Sequence, residues 1–415
     1  GTVSYNGLTT VTTNDQNQSK TEVKNVLGQL VQITDNLGGT VSYQYDAQGN
    51  LTRTTDNAGN ATVIGYDLLG RKTAMNDPDQ GNWSYAYNGF GELTEQTDAE
   101  GQRVVMTYDG LGRMVTRQDY RTASGSSLEG DATWVYDTAA NGLGQLDYVQ
   151  DTDSGYIKAV AYDGFGRVSK TVTSLGLNGA DGDHYEKVTY DQYGRTFQVF
   201  DAARNDDSYD DHGVEYRYNN YGYRHQLVDA VTVNGQTRSV YQTITALDAR
   251  GNVTGETLGN NATTVRTFEA ATGRISGIEA NHAVMGNFQE LHYSWDTLGN
   301  LTNRQELSGS KNLTETFGYD GLNRLTSHQV TGQSAKTLSY NALGNITHKS
   351  DVGGYSYGSG TGGAPGPHAV VSVGAPGTSS YATYQYDANG NNIGSSDGRT
   401  ISYTAFNKAE SISKS

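Results

Sequence analysis

The chain has 415 residues, a net charge of −16 and no cysteine, which excludes disulfides and thiolate sites and argues against a nucleic-acid phosphate partner. No stretch approaches the roughly 18 consecutive apolar residues of a transmembrane helix, so we expect no membrane span. Residues 1–44 begin a repeat imperfectly, with Asn25–Gly28 as its first regular turn. The chain starts at Gly1 without a signal peptide, and we expect it to be part of a longer protein.

The next stretch, residues 45–119, is strictly periodic. The tyrosines Tyr45, Tyr66, Tyr87 and Tyr108 are spaced by 21 residues, and an aspartate follows each of them after 11 residues. A fixed period of this length indicates a repeat protein.

Each repeat is predicted to contain two strands and two turns. It opens with Tyr-Asp/Asn-x-x-Gly, as in Tyr66–Gly70. Asp or Asn first and Gly fourth are typical of a type I β-turn, and the glycine suits a left-handed backbone. A second turn, such as Asp56–Gly59, leaves two segments of about six residues, a usual strand length. The residues assigned as structural repeat turns are Tyr45, Asp46, Gly49, Tyr66, Asp67, Gly70, Arg71, Tyr87, Gly91, Tyr108, Asp109, Gly112, Arg113, Tyr162, Asp163, Gly166, Arg167, Tyr190, Asp191, Gly194 and Arg195.

An apolar stripe crosses the repeats two residues before each opening aromatic. Alternation of this kind indicates strands with one distinct face. We interpret the stripe as the core face of a sheet, with a ladder of ligand-stacking aromatics as the alternative. Its members are Tyr43, Ile64, Tyr85, Met106, Trp134, Val160, Val188, Tyr216, Tyr293, Phe317, Leu338, Tyr384 and Ile401.

The later repeats are less regular but continue to the end of the chain, so we predict one array over residues 1–415. Extra residues collect in polar loops, as expected for insertions on one face of a repeat protein. Residues 353–380 are rich in Gly, Pro and Ser and are predicted to be a long flexible loop within the array. The later openings are Tyr136, Tyr162, Tyr190, Tyr218, Leu247, Phe268, Trp295, Tyr319, Tyr340, Tyr386 and Tyr403.

Several motifs match sites of chemistry but are better explained otherwise. Gly354–Gly358 matches the G-x-S-x-G nucleophile elbow, which requires a following helix. Gly358–Gly363 matches G-x-G-x-x-G but has no βαβ unit around it. The densest acidic cluster has a spacing that fits no calcium loop and is interpreted as a solvated loop. We therefore predict no catalytic residue, metal or cofactor. The cluster consists of Asp206, Asp207, Asp210, Asp211 and His212.

An arginine follows the turn glycine in several repeats. Such a series could form an anion site, but one arginine per repeat at the start of a strand is more simply a partner for turn carboxylates across neighbouring strands. The arginines are Arg71, Arg113, Arg167, Arg195 and Arg274.

The repeat count predicts the overall shape. About 15 repeats give on the order of 30 strands, and an open twisted sheet rarely exceeds about ten strands without curling. We therefore expect an all-β array of antiparallel hairpins that curls into a large spiral or hollow shell. Side chains fill only barrels of about eight strands, so the interior is expected to be hollow or to hold something.

These motifs resemble the YD repeat of the Rhs/YD-repeat family, which includes bacterial polymorphic toxins, the cocoon-forming parts of insecticidal toxin complexes, and teneurins. The resemblance is carried by Tyr66–Arg71, Tyr108–Arg113, Tyr162–Arg167 and Tyr190–Arg195 and covers residues 24–410. It implies a strand-rich shell around a cavity, which in the toxins encloses a C-terminal effector. Toxin shells end in a self-cleaving Asp-Pro-x-Gly motif, whereas the only Asp-Pro here, at Asp77, lies inside the array.

The function predicted from these features is a non-enzymatic shell segment of a secreted bacterial toxin or surface protein, enclosing a cargo encoded outside this chain. Its expected partners are neighbouring shell segments or a capping domain, together with an enclosed C-terminal effector. The alternative is an extracellular adhesion or glycan-binding module. A stripe that faces a cavity or core favours the shell, and a solvent-facing aromatic groove favours the glycan-binding module.

Overall fold

The computed structural model describes residues 1–122, 125, 127–176, 182–203, 212–231, 237–360, 365–375, 377–378 and 381–415, with only the backbone at 202–203. Every regular element in these ranges is a β-strand, and no helix there has the length and apolar character of a membrane span. The strands are β1 Thr2–Asn6, β2 Thr9–Thr13, β3 Ser19–Lys24, β4 Leu30–Thr34, β5 Thr40–Tyr45, β6 Leu51–Thr55, β7 Ala61–Tyr66, β8 Lys72–Asp77, β9 Gly81–Tyr87, β10 Leu93–Thr97, β11 Arg103–Tyr108, β12 Met114–Tyr120, β13 Leu128–Tyr136, β14 Leu146–Asp151, β15 Tyr156–Tyr162, β16 Val168–Ser174, β17 Asp183–Tyr190, β18 Thr196–Ala203, β19 Gly213–Tyr218, β20 Arg224–Asp229, β21 Val240–Leu247, β22 Val253–Leu258, β23 Thr263–Phe268, β24 Ile275–His282, β25 Gly286–Trp295, β26 Leu301–Glu306, β27 Leu313–Tyr319, β28 Leu325–Val330, β29 Lys336–Tyr340, β30 Ile346–Lys349, β31 Gly353–Tyr357, β32 Val370–Val373, β33 Ala382–Tyr386, β34 Asn392–Ser395, β35 Arg399–Tyr403 and β36 Ala409–Lys414.

The 36 strands form one antiparallel sheet in which each strand pairs with the next along the chain, and the sheet does not close into a barrel. A bulge recurs where the opening tyrosine pairs, for example between Gly65 and Tyr66 opposite β8. Bulges increase local twist and bend the strand, so a bulge in most hairpins gives the sheet a repeated source of curvature. The predicted all-β hairpin array is confirmed.

The two kinds of turn lie on opposite rims of the sheet. We call the rim formed by the Tyr-Asp/Asn-x-x-Gly turns the YD rim, and the rim formed by the second turns the far rim. Because strands alternate in direction, a turn after an odd-numbered strand lies on the YD rim and a turn after an even-numbered strand lies on the far rim.

The sheet winds past itself and overlaps. Asn36, in the far-rim turn β4–β5, donates to the carbonyl of Gly321, in the YD-rim turn β27–β28 (3.3 Å). These two turns lie 23 strands apart along the sheet, because one follows β4 and the other follows β27. The same separation of 23 strands is found where Asn389, in the β33–β34 turn, donates to Asp98, in the β10–β11 turn. We call 23 consecutive strands one winding of the sheet. At about 4.8 Å per strand, one winding has a circumference of about 110 Å and a diameter of about 35 Å.

The apolar stripe lies on one half-buried face. All 13 of its members have intermediate exposure, so the stripe that was predicted to be the core face of the sheet is half-buried. Within the described residues, Val228 is the only large side chain that is fully buried. A single sheet has no second layer to cover its apolar face, so we infer that strand pairing and contacts along the stripe hold the wall together.

The prediction of a single flexible loop at residues 353–380 is wrong. Strands β31 and β32 lie within it and pair with each other, with Tyr355 opposite Val373. Alternation in Gly-Tyr-Ser-Tyr and a run of valines were strand signals that the surrounding Gly and Pro residues obscured. The array therefore continues through this segment in the described residues.

Candidate functional site

The YD rim is a ladder of nearly identical turns. In Asp67–Arg71, Asp67 Oδ1 accepts the N–H groups of Leu69 (2.9 Å) and Arg71 (3.0 Å), while the Gly70 N–H donates to the Asp67 carbonyl (3.0 Å). This is an Asx-stabilised turn whose last position needs a left-handed residue. The φ angles of Gly70, Gly112, Gly166 and Gly194 are accordingly 75°, 78°, 74° and 80°.

The aspartate side chain also binds the residue four positions on. In five turns that residue is an arginine, whose Nε donates to the aspartate Oδ2 at 2.6–2.8 Å. In other turns it is an asparagine, as where the Asn50 amide donates to Asp46 (2.8 Å). The N–H and the guanidinium of Arg71 hold the pKa of Asp67 below its usual value. Burial raises the pKa of Asp296, but hydrogen bonds from Asn300 and neighbouring groups outweigh it and lower that pKa to about 2.

The arginines link each turn to the next repeat. Arg195 lies over the ring of Tyr218, 4.0 Å from its centroid, and Arg71 donates to the Asn88 carbonyl of the next turn (2.8 Å). Arg274 differs, because it donates to the Asp296 carbonyl (2.8 Å) and has no aspartate in its own turn. Four of the five predicted arginines therefore bind a turn carboxylate across their own hairpin, as predicted, whereas Arg274 binds a carbonyl of the next turn instead.

The opening aromatic residues connect successive repeats in the same way. The Tyr66 hydroxyl donates to the Leu51 carbonyl (3.0 Å), at the start of β6, the strand that follows the previous opening turn. The indole of Trp295 replaces the tyrosine by donating to the Ile275 carbonyl (2.7 Å). The tyrosines that make the equivalent bond are Tyr45, Tyr66, Tyr87, Tyr108, Tyr136, Tyr162, Tyr190, Tyr218, Tyr319, Tyr340, Tyr357, Tyr386 and Tyr403.

A seam forms where the far rim of the first winding, residues 14–129, meets the YD rim of the second, residues 296–410. Carboxylates of the far rim accept backbone N–H groups of the YD turns. Glu100 Oε1 accepts from Ala388 (2.6 Å), and Glu129 Oε2 accepts from Ala405 (2.8 Å). These residues are about 280 positions apart in the chain, so no repeat-level pattern predicts the pairing.

The seam also contains a buried polar cluster and a hydrogen-bonded histidine–aspartate pair. The Asn389 amide donates to buried Asp98 (2.7 Å) and to Asn407 (2.9 Å). His368 contacts Asp79 through its backbone N–H (3.0 Å) and Nδ1 (2.7 Å). Beside these residues lies a polar cavity of about 670 Å³, lined mainly by the turns around residues 59–61, 77–82, 359–360, 365–366 and 386–390.

The residues suspected of chemistry do not converge. Ser356 is exposed in β31, opposite Ser372, with no helix following in the described residues. The four aspartates of the acidic cluster and part of Gly358–Gly363 lie outside the described residues. Within the ranges described, no three His, Asp or Glu side chains come together as a metal site. Asp77 caps its own turn by accepting the N–H of Asp79 (2.9 Å).

Both the repeat sequence and the fold of this chain have counterparts among known proteins. The RHS repeat model matches residues 25–62, 48–81 and 87–127, and no curated protein sequence matches the chain. The fold is similar to that in crystal structures of TcdB2–TccC3–Cdc42 and TcdB2–TccC3 and in a Photorhabdus luminescens Tc holotoxin pore, each at 16% identity and a TM-score of 0.78.

Those matches cover 99% of this chain but only 23–24% of the other chains, so this chain spans about a quarter of their length. At this identity the likeness identifies the fold alone, while the family rests on the repeat model together with the YD turns. The chain is a member of the Rhs/YD-repeat family.

Proposed function

We propose that this chain is a non-enzymatic wall segment of a shell in a secreted bacterial Rhs/YD-repeat toxin or surface protein, and that the shell encloses a cargo encoded outside residues 1–415. The observation that carries the proposal is the seam. A constant advance of 23 strands stacks one winding on the next, and stacked windings form a wall around a space that side chains alone do not fill.

The chemistry of the wall supports exclusion rather than turnover. The turn carboxylates are bound by backbone N–H groups, arginines or asparagines of their own turns, which leaves them few free lone pairs for acid–base work. The apolar stripe is half-buried rather than an open aromatic groove, and this favours the shell over a glycan-binding module.

The comparison proteins add a partner class. They are complexes in which TccC3 occurs with TcdB2, and by analogy we expect neighbouring shell segments to complete this wall. Completion covers rims and end strands that are exposed here, such as β1 and β36, whose residues are all exposed in the described chain. Exposed end strands invite pairing with another chain.

To test this proposal, the segment is expressed with its native flanking sequence. The protease sensitivity of the downstream part, meaning the sequence that follows residue 415, is then measured. We expect the downstream part to be protected and the melting temperature to rise relative to the isolated segment. The control carries Asp98→Ala and Glu100→Ala, which remove seam contacts and should expose the downstream part. Equal cleavage with an intact and a disrupted seam would contradict the proposal.

A second candidate, glycan binding, rests on four rings that are highly exposed on the YD rim: Phe90 (93%), Phe165 (86%), Tyr193 (73%) and Tyr221 (87%). Exposed aromatic faces are suited to stacking on sugars. A glycan array separates the two functions, because binding that is lost in Tyr193→Ala and Tyr221→Ala, with no protection of a downstream segment, would favour the glycan-binding module.

A further inference from the structure

One peptide at the seam has the composition of a modification site. In the β33–β34 turn, Asn389 is followed directly by Gly390. Asparagine is thermolabile, because the backbone nitrogen of the next residue attacks its side-chain amide, and glycine carries no Cβ to hinder that attack. The pair is therefore a candidate for loss of the asparagine amide.

The closed seam holds both ends of the Asn389 side-chain amide. Its Oδ1 accepts the N–H groups of Ala99 (3.0 Å) and Glu100 (3.3 Å) in the β10–β11 turn. Its Nδ2 donates to Asp98 in the same turn (2.7 Å) and to Asn407 in the β35–β36 turn (2.9 Å). Asn389 is only 8% exposed, and these four bonds fix the position of its amide.

The attacking nitrogen is held as well. The N–H of Gly390 donates to the Asp387 carbonyl (3.1 Å). The far rim lies so close that a Cβ added to Gly390 would be 2.5 Å from the Asp79 carbonyl oxygen. Ring closure needs this nitrogen to lose its proton and the Asn389 amide to rotate over it. Because that rotation breaks the contacts with the first winding, the reaction requires the seam to open.

The seam is joined in a way that allows the windings to separate without unfolding the sheet. In the part of the chain that the structure describes, no backbone–backbone hydrogen bond joins the two windings, and every bond across the seam involves a side chain. Such bonds are replaced by bonds to water on separation, so their net contribution to stability is modest. A cavity of about 270 Å³, lined in part by Asp98 and Asn407, leaves the cluster loosely packed on one side.

We propose that Asn389–Gly390 is a deamidation site that the closed seam protects and that, after conversion, keeps the seam open. The Gly390 nitrogen forms a bond to Cγ of Asn389 and the Cγ–Nδ2 bond breaks, so that ammonia leaves with the proton of the peptide nitrogen. Water then opens the cyclic imide at either carbonyl and gives aspartate or isoaspartate. The reaction consumes only water, and nothing is oxidised or reduced.

The product does not fit the closed seam. Asp98 is 7% exposed, and the Asn389 atom that donates to it at 2.7 Å becomes a carboxylate oxygen. Two carboxylates in one site repel each other, and both cannot remain ionised there. Isoaspartate also adds a methylene group to the main chain of a turn that the bond from Gly390 to Asp387 closes. Conversion therefore opposes reclosure of the seam.

The first experiment follows deamidation in mildly alkaline buffer by peptide mass spectrometry. In the unaltered chain, Asn389 should react at least roughly tenfold more slowly than exposed Asn6, which also precedes a glycine, because it reacts only through an open seam. The double variant Asp79→Ala and Glu129→Ala removes seam bonds on either side of the cluster but none made by Asn389. In it Asn389 should react roughly tenfold faster and Asn6 at an unchanged rate, and equal Asn389 rates in the two proteins would overturn the inference.

The second experiment introduces the product directly and measures hydrogen exchange. Asn389→Asp should raise the exchange rates of the Ala99 and Glu100 amides roughly tenfold, because the seam spends more time open. Adding Asp98→Asn places one amide opposite one carboxylate again, so the double variant should exchange like the unaltered chain. Exchange in a hairpin outside the seam, β15–β16, should be the same in all three proteins and shows that each is folded.

The matched control is Asn252→Asp. It places a carboxylate against Asp248 in a turn away from the seam, where the Asn252 amide donates to Asp248 (2.9 Å), and it should leave exchange at Ala99 and Glu100 unchanged. The inference depends on the seam and not on an enclosed cargo, so an unprotected downstream segment would refute the proposed enclosure alone. An Asn389→Asp chain that exchanges like the unaltered one, or one that Asp98→Asn fails to restore, would refute the deamidation switch alone.

Discussion

The turns Asp67–Arg71 and Asp320–Arg324 are nearly the same locally but differ in their surroundings. Their arginine–aspartate bonds are 2.6 Å and 2.7 Å. Leu69 in the first turn is 75% exposed, whereas Leu322 in the second is half-buried under the far rim of the first winding. The turn is thus built by its own residues, and its coverage is decided by a segment about 285 residues away.

The largest expected effect is at the covered rim. Asp98→Ala leaves the amide of Asn389 without its buried acceptor, and an unsatisfied buried polar group costs about 1–3 kcal/mol. Asp56→Ala is the matched control, because Asp56 caps the same kind of turn without a bond to the second winding. Urea unfolding should show a lower midpoint for Asp98→Ala, and equal midpoints would mean that the seam adds no stability.

Two glycines of one turn test whether the turn is built by its own residues. Gly112 has a φ of 78°, while Gly110, two residues earlier, has no such backbone and no neighbour near its Cβ position. Gly112→Val should cost about 1–3 kcal/mol because a β-branched residue is strained there. Gly110→Val should cost less, and thermal unfolding that ranks the two the other way would contradict the turn assignment.

The arginine ladder should contribute a smaller amount. Arg195→Met removes the bond to Asp191 and the contact with the Tyr218 ring, which together are worth about 1 kcal/mol at a partly exposed site. Arg304→Met, which breaks a more exposed pair with Glu315 and no ring contact, is the control. Denaturant midpoints should fall further for Arg195→Met. An equal fall in the two variants would mean that the contact with the Tyr218 ring adds no stability.

The smallest effect concerns acid. A carboxyl whose pKa is lower in the folded state contributes stability that is present above its unfolded pKa and is lost as pH falls through the folded value. For Asp296 this window runs from its ordinary 3.8 down to about 2. The melting temperature should drop between pH 4 and pH 2, and Asp296→Asn should make that drop shallower. A steeper drop in the variant would contradict the assignment.

Sequence reasoning was most successful where the physics is local. The spacing of Tyr66 and Tyr87 and the Asp-x-x-Gly pattern fix turn geometry through bonds spanning four residues, so the hairpins followed directly. It failed at Gly353–Tyr357 and Val370–Val373, where composition suggested a loop but the neighbouring strand offered a partner. It anticipated the turn carboxylate that Arg71 binds, but it did not anticipate that the same side chain also donates to the Asn88 carbonyl of the next turn.

The sequence by itself determined the repeat, the turn chemistry, the all-β class and the need for the sheet to curl. Tertiary structure alone decided how many strands make one winding, and therefore that Asp98 meets Asn389 and Asp79 meets His368. The physical reason is that small changes in strand direction add up along the sheet. Each hairpin adds a small twist and bend that its own residues set only approximately, and the sum over 23 strands determines which turns come into register at the seam.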